Sequence, residues 1–160
     1  MAVTPGGGGY WLVASDGGVF AFGNAAFHGS MGGTRLNAPV VGMAAPSAGS
    51  GYWLVARDGG IFSFGTALFH GSTGALKLNA PIAGMAATPD GNGYWLVARD
   101  GGIFTFGDAP FVGSTGAKPP GQAISGMAAF SPGAGYWLVG SAGGVYGFGA
   151  APNLGSFPAS

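Results

Sequence analysis

One fifteen-residue pattern recurs four times in this chain. Its second copy is Gly51-Tyr52-Trp53-Leu54-Val55-Ala56-Arg57-Asp58-Gly59-Gly60-Ile61-Phe62-Ser63-Phe64-Gly65, and the copies begin at Gly9, Gly51, Gly93 and Gly135, 42 residues apart. A fixed period of that length points to a repeat architecture, in which no unit buries its apolar faces alone and each is covered by its neighbours.

Within the pattern, Tyr52 to Ala56 is aromatic, β-branched and uncharged, as a buried strand requires. Asp58-Gly59 is a hairpin signal, because Asp accepts local backbone hydrogen bonds and Gly takes positive φ. Ile61 to Phe64 resumes the extended pattern. No segment shows an apolar 3.6-residue period, and Gly recurs too often for stable helix. An all-β fold is expected.

The 160 residues form one domain, a single array of units at 1–38, 39–80, 81–121 and 122–160. Gly is abundant, at 36 residues, but it recurs at fixed positions and 48% of the chain is hydrophobic, which argues against disorder. There are five basic residues, five Asp and no Glu, for zero net charge, so neither nucleic acid nor a membrane surface is an expected partner. No apolar run is long enough to span a bilayer, and no signal peptide is visible at Met1-Ala2-Val3-Thr4-Pro5. The absence of Cys removes disulfides, thiolate metal sites and a Cys nucleophile.

Each unit is expected to supply four strands. The first is Val-Val-Gly-Met-Ala-Ala and its relatives from Val40, Ile82 and Ile124; two flank the hairpin; the fourth is a brief outer strand at Phe27-His28-Gly29-Ser30, Phe69-His70-Gly71-Ser72, Phe111-Val112-Gly113-Ser114 and, more divergently, Asn153-Leu154-Gly155-Ser156. Both alternating faces of the Tyr-Trp strand are apolar, so each sheet is covered on both sides. A β-trefoil closes on three units and a β-solenoid uses shorter coils; four-stranded units of this length fit a β-propeller. Gly and Ala in Gly42-Met43-Ala44-Ala45 suit an innermost strand near a crowded axis, and the aromatics fill the widening gaps outside it. The fold expected is therefore a four-bladed ring, or half of an eight-bladed ring made by two chains. In the fourth copy Gly140-Ser141-Ala142-Gly143 replaces the Asp-bearing turn, as a divergent capping unit would.

The pattern Gly-Tyr-Trp-Leu-Val-Ala-x-Asp-Gly-Gly-Val/Ile-Phe-x-Phe-Gly, with Phe-His-Gly-Ser and Gly-Met-Ala-Ala, resembles repeats of secreted actinobacterial proteins that are often appended to cell-wall or hydrolase domains. That resemblance covers almost the whole chain. It implies a propeller-like fold and an extracellular location, and it brings no catalytic residue.

Catalytic, metal and cofactor sites are not expected. His28 and His70 share their repeat position with Val112 and Leu154, which reads as a half-buried packing site. Asp16, Asp58 and Asp100 read first as turn residues. Asp90-Gly91-Asn92-Gly93 lacks the downstream Glu of a calcium loop, and no Lys-Ser/Thr follows a Gly-rich run to make a phosphate cradle. Trp11, Trp53, Trp95 and Trp137 read as core between units rather than sugar platforms.

The hairpins and the connections between units are expected to emerge on one rim. That rim would gather Asp16, Arg57, Asp58, Arg99 and Asp100 from the hairpins with Arg35, Asn37, Lys77, Asn79 and Lys118 from the connections, leaving Asp90 and Asp108 to the opposite rim. The functional expectation is a non-enzymatic, secreted binding module that holds glycan or cell-wall polymer weakly and multivalently through this rim. The alternative is a self-assembling repeat scaffold, with a homodimer completing an eight-bladed ring or a monomer as its states. If function lies at the hairpin tips, the fourth unit is the silent one.

Overall fold

The structure, a computed structural model, describes residues 1–131 and 134–157. Among them lie twelve strands and no helix: β1 (Ala2–Val3), β2 (Gly9–Val13), β3 (Val19–Gly23), β4 (Val40–Ala44), β5 (Gly51–Ala56), β6 (Ile61–Gly65), β7 (Ile82–Ala87), β8 (Gly93–Ala98), β9 (Ile103–Gly107), β10 (Ile124–Ala129), β11 (Gly135–Gly140) and β12 (Val145–Gly149). They form four three-stranded antiparallel sheets, one per 42-residue unit, in the orders β1-β2-β3, β4-β5-β6, β7-β8-β9 and β10-β11-β12.

Four strands per unit were expected, and three are found. The Phe-His-Gly-Ser segment does not pair with β3, β6 or β9. Its backbone is bound by a side chain of the next unit instead: the Tyr94 hydroxyl accepts the His70 N–H at 3.2 Å and donates to the Gly71 carbonyl. Gly71 sits at φ +129°, outside the range a strand residue uses, so a ladder breaks there. One phenol thus satisfies two backbone groups that a fourth strand would otherwise have paired.

Cross-strand partners place Trp53, Val55 and Ala44 on one face of the second sheet, and Tyr52, Leu54 and Met43 on the other. The Trp face of each unit packs on the Tyr face of the next. Trp53 and Val55 join Ile82, Met85, Tyr94 and Leu96 in one core, and Trp95 and Val97 join Ile124, Tyr136 and Leu138 in another. Trp11 meets Tyr52 and Leu54 in the third. These tryptophans are buried, and each indole N–H donates to a carbonyl of its own connection, as Trp53 does to Leu68 at 2.7 Å. They are core, with no face free for a ligand.

The first strands of the second, third and fourth sheets lie innermost. A Cβ on Gly42 would sit 3.6 Å from the Gly84 Cα, and one on Gly84 would sit 3.7 Å from the Gly126 Cα, so β4, β7 and β10 run side by side at glycine distance. Each of these strands also carries a bulge, between Val40 and Gly42, Ile82 and Gly84, and Ile124 and Gly126. A bulge re-aims the extra residue; here Val41, Ala83 and Ser125 all turn into one axial cleft.

A closed four-sheet ring is not what the chain forms. The Tyr face of the first sheet and the Trp face of the fourth are open, with Tyr10 40% and Val139 40% exposed where Tyr52 and Val97 are at 0%. Nor is the fourth unit a polar cap: Trp137 and Val139 keep its outward face apolar despite the altered hairpin.

Candidate functional site

The hairpin tips and the unit-to-unit connections meet on one rim. The Arg57 N–H donates to the Pro39 carbonyl at 2.8 Å and the Ile82 N–H to the Arg57 carbonyl at 2.9 Å, tying each tip between successive innermost strands. The Thr73 N–H donates to the Gly59 carbonyl at 3.2 Å, which holds the connection against the tip. Arg57, Asp58 and Asn79 line one cleft, and Asp16 and Asn37 line its equivalent in the first unit. Arg35 and Lys77 are exposed beside residues lining these clefts but do not line them. Lys118 is exposed on the third connection.

The tip aspartates hold their turns. Asp16, Asp58 and Asp100 each accept the backbone N–H two residues on, from Gly18, Gly60 and Gly102, at 2.8, 3.0 and 2.9 Å. That bond occupies one carboxylate oxygen and leaves the other available. In the fourth unit Gln122 does the work from the connection: its Oε1 accepts the Ala142 N–H at 2.6 Å, and its amide donates to the Tyr146 hydroxyl at 3.1 Å. A hairpin of this shape therefore forms without the aspartate.

Two further features of this rim lie beyond the residues expected for it. The first is an axial cleft of about 600 Å³. Ser15, Arg57, Arg99 and Ser141, the same repeat position in all four units, line it together with the bulge residues, and no acidic residue is among its lining. Its lining is therefore cationic, while the neighbouring Asp58 and Asp100 line the grooves on the other side of the tips. The second is a groove found twice, of about 290 and 320 Å³. Asn37, Asp58, Phe69 and Ser72 line one; Asn79, Asp100, Phe111 and Ser114 line the other. Phe69 and Phe111 are 60% and 61% exposed, because the segment carrying them is not a strand. The sequence signal that points to them is their repeat: Phe27, Phe69 and Phe111 hold one position.

His28 and His70 are packing residues. His28 sits between Trp11 and Tyr52, with ring centroids at 6.5 and 5.8 Å, and its Nε2 is 2.9 Å from Ser50 Oγ. Val112 fills the same wedge in the third unit.

The opposite rim holds a pair of carboxylates. Thr88 Oγ1 lies 2.8 Å from Asp90 Oδ1 and 3.1 Å from Asp108 Oδ1, and its single proton serves one at a time. Hydrogen bonds from Thr88 and Asn92 hold Asp90 below the usual carboxylate range, whereas desolvation and the neighbouring Asp90 push Asp108 up. Among the described residues no three His, Cys, Asp or Glu side chains gather as a metal site would need.

No protein-family model matches this chain, and no curated protein matches it.

Proposed function

We propose that this chain is a non-catalytic, secreted binding module that grips a glycan or cell-wall polymer along its hairpin rim. The observation that carries this reading is the groove that occurs twice: an exposed phenylalanine, a carboxylate oxygen, an amide and a hydroxyl, repeated at the period of the fold. An aromatic face with convergent polar groups suits a sugar ring, whose C–H face stacks while its hydroxyls exchange hydrogen bonds. Asp58 and Asp100 accept from hydroxyls, and Asn37 and Asn79 both donate and accept. Arg57 and Arg99 at the axial cleft favour polymers with acidic substituents over neutral ones. Two weak sites on one rigid array gain avidity for a polymer without either becoming strong.

The test is a titration calorimetry series with neutral and uronate-containing oligosaccharides, against wild type and the double variant Phe69→Ala/Phe111→Ala. The reading expects binding that strengthens with chain length, falls at least about tenfold in the double variant, and prefers the acidic oligosaccharides until Arg57 and Arg99 are replaced by Gln. Equal, length-independent binding by wild type and double variant, or none at all, removes it.

A further inference from the structure

The joint between units is one geometry made three times. Trp11 lies on Tyr52 and Trp53 on Tyr94 with ring centroids at 5.4 Å, and Trp95 lies on Tyr136 at 5.5 Å. In each joint the tyrosine hydroxyl donates to a glycine carbonyl of the preceding unit, at Gly29, Gly71 or Gly113. A phenylalanine beside that tyrosine covers the glycine closely: a Cβ there would sit 2.7, 2.6 or 2.5 Å from the ring of Phe64, Phe106 or Phe148. The joint is thus a tyrosine and a phenylalanine on one side, a tryptophan and a glycine on the other.

The first sheet carries one half of a fourth such joint. Tyr10, Leu12 and Phe22 hold the repeat positions of Tyr52, Leu54 and Phe64, and they are 40%, 38% and 43% exposed. No described residue covers this face, and Tyr10 stacks on Phe22 of its own sheet at 5.2 Å and 24°, where Tyr52 and Phe64 meet at 5.6 Å and 41°. The fourth sheet carries the other half. Trp137 is half-buried, Val139 is exposed, and Ala128 is exposed where Ala86 is buried. Gly155 keeps a positive φ of +98°, and nothing lies within 4 Å of where its Cβ would be.

We propose that the first sheet of one copy of this chain seats on the fourth sheet of a second copy, head to tail, with Tyr10 against Trp137 and Phe22 over Gly155. A second copy is the occupant because the surface required is the one each chain already presents to its own neighbour three times over. Neither half contains a charged residue on its strands, so the contact is a continuation of the interior packing rather than a polar encounter. The two halves lie at opposite ends of the row, which makes the contact heterologous, and the form proposed is the closed one, two chains joined by two such contacts into a ring of eight sheets.

The experiment measures mass by light scattering for wild type, for Phe22→Glu, which blocks the first face, for Val139→Glu, which blocks the fourth, and for their equimolar mixture. Wild type is expected at twice the 15.5 kDa chain mass, each variant at 15.5 kDa, and the mixture back at the doubled mass through its one intact joint. Tyr10→Arg and Ala128→Glu block the same faces from other strands and are expected to reproduce the pattern, with unchanged far-ultraviolet circular dichroism throughout. A wild type that stays at 15.5 kDa at the highest attainable concentration overturns the proposal. So does a doubled mass that survives both single variants, or a mixture that fails to recover it.

Discussion

Tyr52 and Tyr10 occupy the same position of the same repeat, yet one is sealed and the other is 40% exposed. Tyr52 donates to Gly29 and accepts from His28, while the hydroxyl of Tyr10 has no hydrogen bond among the described residues. Burial pushes the Tyr52, Tyr94 and Tyr136 hydroxyls up, so they remain protonated donors in the joints. A neighbouring unit covers Tyr52 and none of the described residues covers Tyr10. The comparison teaches that stability here resides between units, and that a single unit is half of two joints rather than a small domain.

The largest way to break the comparison is to remove the same side chain from an interior joint and from an end. In a Val139→Glu background, where no second copy covers the fourth sheet, Trp53→Ala empties a fully buried site and should cost about 3–5 kcal/mol by urea denaturation, whereas Trp137→Ala, half-buried against Phe130, should cost about 1–2 kcal/mol. A substitution in the favourable direction sharpens it. Ser63 Oγ is buried in a joint without a hydrogen-bond partner, and Ala21 stands at that position in the first unit. Ser63→Ala should therefore raise stability by about 1 kcal/mol.

The smallest expected effect lies outside the joints. In the first unit Thr4 donates to Asn24 at 2.9 Å where Thr88 faces Asp108 in the third. Asp108 titrates above its unfolded value, so its ionised form is disfavoured in the native state; its unfavourable contribution is present at neutral pH and fades as pH falls through the raised folded value. Asp108→Asn should gain roughly half a kcal/mol or less at pH 7, a gain that shrinks toward acid pH in thermal melts.

Much of the architecture was legible because it is periodic. The 42-residue spacing, the Asp-Gly hairpins and the doubly apolar Tyr-Trp strands led to four all-β units, to Trp11, Trp53 and Trp95 as core, and to tips and connections sharing a rim, while Trp137, expected in the core with them, is half-buried on an open face. The missing fourth strand was not legible, because what replaces it is a long-range bond from Tyr94 to Gly71 of the preceding unit. For the same reason Phe69 and Phe111 read as strand residues and not as exposed groove walls. The bulges at Val41, Ala83 and Ser125 shift one residue into the axial cleft without a turn signal to mark them. Gln122 substituting for a tip aspartate depends on reach across twenty residues, which a local reading of Ser141-Ala142 does not contain.

The most direct measurement compares Tyr94→Phe with Tyr10→Phe by urea denaturation, both in a Val139→Glu background so that no second copy covers Tyr10. Tyr94→Phe orphans the Gly71 carbonyl and the His70 N–H and should lose about 1–2 kcal/mol. Tyr10→Phe should change stability by less than about 0.5 kcal/mol. Equal losses at the two positions would contradict the claim that the interior joints are complete and the end faces are their open halves.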